Sequence, residues 1–199
     1  MAKPAIHLGS TDIIDTFAEA FRLRFARLVV TAHDTFWLDA SVQSFCGYGT
    51  SVIGCDAEVG VERFISADES PDGRPGASIL AFGFTTESLA EAVANRTGQC
   101  LLTCPTTAVF DGLSKSEERI PLGHRIRFFG DGFEKTKVFD GRRYWRVPVM
   151  DGEFLVEENC GVAKGVGGGN VVIQGISLEA ALASAKRAVS ATAAVPGVI

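Results

Sequence analysis

A stiff turn in the first half of the sequence could hold a guanidinium in place for an anionic group. The turn is Pro71-Asp72-Gly73-Arg74-Pro75-Gly76, and its two prolines limit the conformations that Arg74 can sample. A guanidinium held in this way can bind a carboxylate or a phosphate group through two parallel hydrogen bonds. The alternative is a solvated turn with no ligand. The residue types therefore make Arg74 a candidate for binding an anionic group of a substrate.

A glycine cluster, Gly165-Val166-Gly167-Gly168-Gly169-Asn170, could also bring backbone N–H groups close to a ligand oxygen. A dinucleotide fingerprint needs a strand before it and a helix after it, whereas this cluster precedes an apolar, strand-like run. The sequence also has no Gly-Lys-Ser/Thr motif, so NAD and ATP binding are not predicted. A ligand-contacting loop and a linker between two lobes both remain open for the cluster.

The cysteines and carboxylates indicate no particular catalytic chemistry. The five cysteines form no Cys-x-x-Cys pair and the three histidines are scattered, which favours neither a disulfide framework nor a metal site. Cys104 precedes Pro105, but no histidine nearby in the sequence could activate its thiol, so we predict that no cysteine is catalytic. Carboxylates at Glu153, Glu157 and Glu158 fit acid–base chemistry and fit a solvated strand face equally well.

The composition excludes several classes of protein. The 199 residues are 46% hydrophobic and 22% charged, which is typical of a globular chain with a real core. A formal charge of −5 argues against a nucleic-acid-binding surface. No apolar run reaches the length of a secretory signal core or a membrane helix, so we predict a cytoplasmic protein without a membrane partner.

Apolar periodicity in the first half predicts an α+β domain. Strand-like runs are predicted at 26–32, 50–55, 77–84 and 99–103. Helices are predicted after the possible caps Asp34 or Thr35 and after Thr86, ending near Gly47 and Gly98. The order βαββαβ over about residues 26–104 is typical of a ferredoxin-like sandwich, in which helices cover one face of an antiparallel sheet.

Recurrent Asp-Gly pairs predict a β-meander in the following stretch. Such pairs occur at Asp131, Asp140 and Asp151, each between runs rich in aromatic and β-branched residues. We therefore predict four antiparallel strands within about residues 124–158, made of RIRFF, FEKTKVF, YWRVPVM and EFLVEE. Pro148 indicates a strand edge or a bulge.

The last stretch predicts an apolar strand, VVIQG, and a helix over about Ser177 to Val195. A single strand and helix cannot bury their apolar surface alone, so we expect a fragment or a subunit that another chain completes. The predicted division is residues 1–165 for a first lobe and 166–199 for the truncated start of a second, similar lobe.

Several motifs in order resemble one enzyme family. The sequence resembles the formylmethanofuran:tetrahydromethanopterin N-formyltransferases, in register from about residue 12 to the end. The cysteine-bearing segments GQC and TCPT and the segment RYWRVPVMDGEF look more like the version found in methylotrophic bacteria than the archaeal version. The segments that carry the resemblance are Ile14–Phe21, Gly49–Ile53, Ser70–Gly76, Gly98–Cys100, Cys104–Thr106, Phe128–Phe133 and Asp151–Phe154.

The resemblance implies a two-lobed, oligomeric enzyme that moves a formyl group between the amine nitrogen of methanofuran and N5 of tetrahydromethanopterin. It implies direct transfer in a ternary complex, with both compounds as substrates and no metal or tightly bound cofactor. It also implies possible partner subunits in a formyltransferase/hydrolase complex that releases formate. The matched candidates for substrate contact are Asp72, Arg74, Asp131, Glu153 and Asn170, and no catalytic role is assigned to any of them.

A different class of function remains open from the sequence. Ferredoxin-like sandwiches also serve as regulatory modules that bind small molecules, and a catalytically incomplete fragment could bind a ligand without transferring a group. Calorimetry with methanofuran and with tetrahydromethanopterin would separate these alternatives.

Overall fold

The computed structural model describes residues 5–8, 11–14, 20–150, 152–169 and 171–199. Its strands are β1 Ala5–Leu8, β2 Thr11–Ile14, β3 Phe21–Thr31, β4 Glu58–Ile65, β5 Gly76–Gly83, β6 Ala108–Asp111, β7 Arg119–Pro121, β8 Lys135–Phe139, β9 Arg142–Val149, β10 Gly152–Glu157 and β11 Asn159–Gly167. Its α-helices are α1 Thr35–Cys46, α2 Thr86–Arg96, α3 Gly123–Ile126 and α4 Leu178–Thr192. The predicted α+β class is confirmed.

One large sheet organises most of these elements. Its strands lie in the order β4-β5-β3-β6-β10-β9-β8, and β11 pairs with β3 and with β7. All its pairs are antiparallel except β6 with β10. β6 and β11 share one edge of β3, because β6 pairs with Leu28–Thr31 and β11 with Phe21–Ala26. The strand β3 is therefore the centre of the fold.

The elements from β3 to β6 follow the predicted order βαββαβ, but two of the predicted strands are wrong. Residues 50–55 form turns, in which the Ser51 carbonyl accepts bonds from the N–H groups of Gly54 and Cys55. The second strand is β4, where Val59 and Val61 face the helices and polar side chains alternate with them. The alternation of a half-exposed strand, rather than a continuous apolar run, was the correct signal here.

The predicted strand at 99–103 is helical. Helix α2 has a capping box at Thr85 and continues through a π-helical turn at Thr97–Leu101, where Leu102 N–H donates to the Thr97 carbonyl. Gly98 packs against the ring of Phe129 and does not end the helix. The last strand of the βαββαβ unit is β6, which lies beyond the predicted limit near residue 104.

The meander has three strands instead of four. Residues 125–129 lie in α3 and in a 3-10 turn, Arg127–Gly130, which ends at Asp131 with a left-handed backbone (φ 50°). Positive φ ends a helical turn as readily as it makes a hairpin, and the sequence did not distinguish the two. Asp140 and Gly141 do form the predicted two-residue hairpin, between β8 and β9. Pro148 lies beyond the end of β8 and pairs only with β10.

Helices α1 and α2 cover one face of the sheet. Asp34 caps α1 by accepting a bond from Trp37 N–H. The buried side chains on this face come from both helices and the central strands, and they include Leu38, Phe45, Leu89, Leu28 and Ile79. Burying side chains of this size contributes about 1.5–3 kcal/mol each. The opposite face of the sheet is partly open and carries the charged and aromatic side chains described below.

The C-terminal part of the chain exposes apolar side chains. The predicted strand VVIQG is wrong, since residues 171–175 pair with no strand in the described parts of the chain. A strand needs a partner for its backbone groups, and the sequence pattern alone does not supply one. The predicted helix is confirmed as α4, capped by Ser177, with Leu182 55% and Val189 66% exposed.

Candidate functional site

The turn at residues 71–76 is tied to the end of β3 by hydrogen bonds between Asp72, Arg74 and Thr31. Asp72 Oδ2 accepts bonds from the Thr31 hydroxyl (2.8 Å) and Arg74 Nε (2.9 Å), and it forms an ion pair with Arg74 Nη2 at 2.7 Å. Arg74 Nη2 also donates to Thr31 Oγ1 (3.0 Å), and Nη1 donates to the Thr106 carbonyl. The guanidinium thus joins three chain segments. The structure brings Asp72 and Arg74 together, and it uses Arg74 mainly to hold the turn in place.

Beside this turn lies a groove of about 390 Å³ on the open face of the sheet. Its floor contains Phe110 and Tyr144, whose rings meet edge to face with centroids 5.9 Å apart. Aromatic floors with a few polar groups at the rim are typical of sites for planar organic ligands. We call this feature the Tyr144 groove. It is lined by Pro71, Asp72, Phe110, Lys137, Phe139, Asp140, Arg142, Tyr144 and Leu155.

Arg142 is held at the rim of the groove by a buried carboxylate. Glu157 is almost fully buried and accepts bonds from Arg142 Nε (2.8 Å), Arg142 Nη2 (2.6 Å) and Asp111 N–H (2.8 Å). Burial raises the pKa of Glu157, although the bonds from Asp111 N–H and Arg142 oppose this. Burial also acts to lower the pKa of Arg142, but its bonds to Glu157 outweigh this and leave the pKa raised.

A second buried ion pair supports the first. Asp111 Oδ2 accepts a bond from Arg119 Nη2 (2.9 Å), and Oδ1 accepts bonds from the N–H groups of Leu113 and Gly161. These two carboxylates and two guanidinium groups therefore fix where β6, β10 and β11 meet. Burial and the neighbouring Glu157 raise the pKa of Tyr144, which keeps its phenol protonated at neutral pH.

The other predicted site residues lie elsewhere. Asp131 is exposed at the end of the 3-10 turn, and Glu153 is exposed on β10, where Arg146 Nε donates to it (2.6 Å). No hydrogen bond or ion pair in the described residues joins either of them to Asp72. Asn170 lies outside the described residues.

Arg142 and Tyr144 were not singled out from the sequence. The one sequence feature that could have pointed to them is their position directly after the Asp140-Gly141 hairpin, whose register places Lys137 opposite Tyr144. Glu157 was named only as a member of an acidic strand, because its burial depends on strands far away in the sequence.

Two of the cysteines lie in surroundings that disfavour a thiolate. Burial raises the pKa of the Cys46 thiol to about 11 and raises that of Cys160 further. In the described parts of the chain, no group of three or more His, Cys, Asp or Glu side chains is arranged to hold a metal ion. No described helix is both long and apolar enough to cross a membrane.

Comparison with known proteins gives matches along nearly the whole chain. Residues 6–149 match the family model described as formylmethanofuran-tetrahydromethanopterin formyltransferase, and residues 152–199 match that of the proximal lobe of the same enzyme. A curated formyltransferase of this name from Methylobacillus flagellatus is 48% identical over 195 residues. That match covers 96% of this chain and 65% of the relative.

Two solved structures have the same architecture. The formyltransferase/hydrolase complex from Methylorubrum extorquens, solved with methylofuran, contains a chain 44% identical with a TM-score of 0.92. The match covers 98% of this chain and 65% of that one. The formyltransferase from Methanosarcina barkeri is 43% identical with a TM-score of 0.87, over 95% of this chain and 63% of that one. The chain thus spans a little under two thirds of the length of these relatives.

Proposed function

The chain belongs to the formylmethanofuran-tetrahydromethanopterin formyltransferase family, and we propose on this basis that its protein transfers a formyl group between methanofuran and N5 of tetrahydromethanopterin. The observation that carries the proposal is the match to both family models, one after the other, over residues 6–149 and 152–199. The alternative of a regulatory binding module is not favoured by these matches.

The reaction sets clear chemical requirements. An amine must attack the formamide carbon, hydrogen-bond donors must stabilise the oxyanion that forms, and an acid must protonate the departing amine. We propose that both compounds act as substrates in a ternary complex and that no tightly bound cofactor takes part. Direct attack needs no nucleophile from the protein, which agrees with the raised thiol pKa values of Cys46 and Cys160.

We propose that the Tyr144 groove contributes to substrate binding. Phe110 and Tyr144 form a largely buried aromatic base, and the cations Lys137 and Arg142 line the groove together with two aspartates, Asp72 and Asp140. Asp72 lines the same groove, so it remains a proposed substrate contact. Arg74 holds Asp72 in place, and substrate contacts of Arg74, Asp131, Glu153 and Asn170 remain predictions.

The proposed assembly follows the relatives. We propose an oligomer, with partner subunits like those of the Methylorubrum extorquens complex. A division between the two lobes near residue 165 and a cytoplasmic location are also proposals. Light scattering of the purified protein would test the oligomer, and cell fractionation would test the cytoplasmic location.

The test uses the protein encoded by the whole reading frame that contains these residues. It is incubated with formylmethanofuran and tetrahydromethanopterin, and the formylated pterin is measured by chromatography in both directions. We expect formation of the product to depend on both substrates and on enzyme concentration. A folded protein that forms no product in either direction would contradict the proposal.

A matched pair of variants tests the groove. Lys137 and Lys135 lie on the same face of β8, but only Lys137 lines the groove. Lys137→Gln should raise KM for one substrate by about five- to thirtyfold with kcat little changed, as expected for lost charge-assisted binding of about 1–2 kcal/mol. Lys135→Gln should leave both parameters unchanged. Equal effects of the two variants would contradict a binding role for the groove.

A further inference from the structure

Three cationic side chains lie together on two neighbouring strands, β3 and β11, neither of which lines the Tyr144 groove. Lys164 on β11 is directly opposite Arg24 on β3 in the antiparallel register. Arg22 is two residues before Arg24, so it lies on the same face of the sheet. These three residues are called the Arg22 cluster.

The arrangement is unfavourable unless negative charge lies nearby. Side chains directly opposite one another in antiparallel strands have Cβ atoms about 5 Å apart, and like charges in such pairs are destabilising. One carboxylate offsets part of the charge, because Arg24 Nη1 donates to Glu118 Oε2 at 3.0 Å. The other oxygen of Glu118 accepts a bond from the Thr86 hydroxyl. Among the described residues, no carboxylate forms an ion pair with Arg22 or Lys164.

The cluster borders a groove with a volume of about 480 Å³. Phe84 and Val166 form apolar walls beside the cations, and Phe84 packs edge to face on Phe21 with centroids 6.1 Å apart. Phe84 is 49% and Val166 68% exposed, so the groove is open to solvent and an anion would be held mainly by charge and hydrogen bonds. The volume is sufficient for an oxyanion together with part of the molecule that carries it.

We propose that the Arg22 cluster is a binding site for an oxyanion group of a small molecule, either a phosphate or closely spaced carboxylates. Three cations and one carboxylate give the site a net charge of +2 in a chain whose net charge is −5. Phosphates and paired carboxylates present several oxygens at once, which suits guanidinium groups and an ammonium group arriving from two strands. The proposal does not depend on formyl transfer.

The test measures the melting temperature of the 199-residue chain in sodium phosphate, sodium citrate and sodium chloride at equal ionic strength. An anion that binds only the folded state raises Tm. At ten times its dissociation constant, the specific anion should raise Tm by about 3–6 °C above the value in chloride. A rise with phosphate alone identifies a phosphate site, and a rise with citrate alone identifies a carboxylate site.

Charge-removing variants assign the effect to the cluster. The double variant Arg22→Gln/Lys164→Gln should lose the anion-specific rise, and its Tm in chloride should equal or exceed that of the original chain because repulsion is relieved. The control Arg125→Gln/Lys135→Gln removes the same charge from exposed positions elsewhere and should keep the rise. The proposal is overturned if neither anion raises Tm above chloride, or if the Arg22/Lys164 variant keeps the rise.

Discussion

Two glutamates on β10 allow the effect of burial on an ion pair to be measured within one strand. Glu157 and Glu153 each accept bonds from an arginine of β9, namely Arg142 and Arg146. The Glu157 side chain is 4% exposed and the Glu153 side chain 43%. The residue types and the strand pair are the same, so the two sites differ in burial and in the Asp111 N–H bond that only the buried Glu157 accepts.

Glu157→Ala should destabilise the protein by about 3 kcal/mol. The substitution leaves Asp111 N–H without its acceptor, which costs about 1–3 kcal/mol for a buried donor. It also leaves Arg142 without its carboxylate, and breaking a buried pair costs about 3–5 kcal/mol. These two costs overlap and are not added, and the loss stays near about 3 kcal/mol because the Arg142 side chain is 30% exposed and can turn towards water.

Glu153→Ala should cost no more than about 1 kcal/mol, as is usual for an exposed pair. Urea unfolding of both variants measures the difference, and the corresponding fall in Tm for Glu157→Ala is about 6–12 °C. If Glu157→Ala does not fold, Glu157→Gln gives the same comparison at smaller amplitude. Equal losses for the two glutamates would refute the reasoning from burial.

The pH dependence of a third variant tests the same cluster. Burial raises the pKa of Glu157 and Arg142 opposes this rise, so Arg142→Met should raise the pKa further. A folded-state pKa above the unfolded value gives stability at low pH that is lost as pH rises through the folded pKa. Arg142→Met should therefore be more destabilising at pH 8 than at pH 5. If Arg142→Met is equally destabilising at both pH values, the loss does not come from the ionised Glu157 carboxylate, and the reasoning is contradicted.

The remaining predictions concern the cysteines, the acid side of the stability curve and helix α4. Cys100→Ala and Cys104→Ala should each keep the rate of formyl transfer within about tenfold in the protein from the whole reading frame, since only about 1 kcal/mol of packing is lost per group. A loss of about a thousandfold in folded Cys104→Ala, or a formylated cysteine detected by mass spectrometry, would show that a thiol carries the formyl group. Burial acts to raise the pKa of Glu62, but bonds from Arg27, Ser78 and Gly197 N–H outweigh it and leave the pKa lowered. The stability that ionised Glu62 contributes is thus present above its ordinary pKa of 4.5 and is lost as pH falls. Glu62→Gln should therefore be less stable than the original chain at pH 7, and the difference should close below about pH 4. A difference in stability that stays constant with pH would contradict this. The 199-residue chain should oligomerise or bind a hydrophobic dye through Leu178, Leu182 and Val189, and Leu182→Lys should weaken either effect; a monodisperse monomer without dye binding would count against an uncovered apolar face.

The elements predicted correctly from the sequence are those fixed by local chemistry. Helices α1, α2 and α4 are capped by Asp34, Thr85 and Ser177, whose side chains accept N-terminal N–H bonds, although the predicted cap Thr86 is the first residue of α2. The hairpin at Asp140-Gly141 needs positive φ at both residues, which this pair adopts at low cost. Signals of this kind act within a few residues, so a single sequence contains them.

The wrong predictions concern segments whose state depends on distant partners. The run at 50–55 is apolar enough for a strand, but β5 pairs with β4 instead. Residues 171–175 have strand-like side chains and no described strand beside them. Gly98 resembles a helix end and instead makes a close approach to Phe129. Each outcome is decided by tertiary contacts that local propensity does not report.

In the candidate site, too, the features fixed by nearby residues were predictable and those fixed by distant partners were not. The turn containing Asp72 and Arg74 was predictable, because prolines and glycines define it. Its partner Thr31 is 41 residues from Asp72, and Glu157 is 46 residues from the Asp111 backbone it binds. Such pairs follow from strand register across the whole sheet, so sequence pattern alone did not place Arg142 or Tyr144 in a groove.

The most direct test of the account follows the formyl carbon itself. The protein from the whole reading frame is incubated with methanofuran carrying a ¹³C-formyl group, tetrahydromethanopterin and an excess of unlabelled formate. Direct transfer predicts that the ¹³C label appears on N5 of the pterin without dilution, as measured by mass spectrometry and ¹³C NMR. Formation of unlabelled formylpterin would contradict direct transfer, and the absence of any formylpterin from a folded protein would contradict the proposed activity itself.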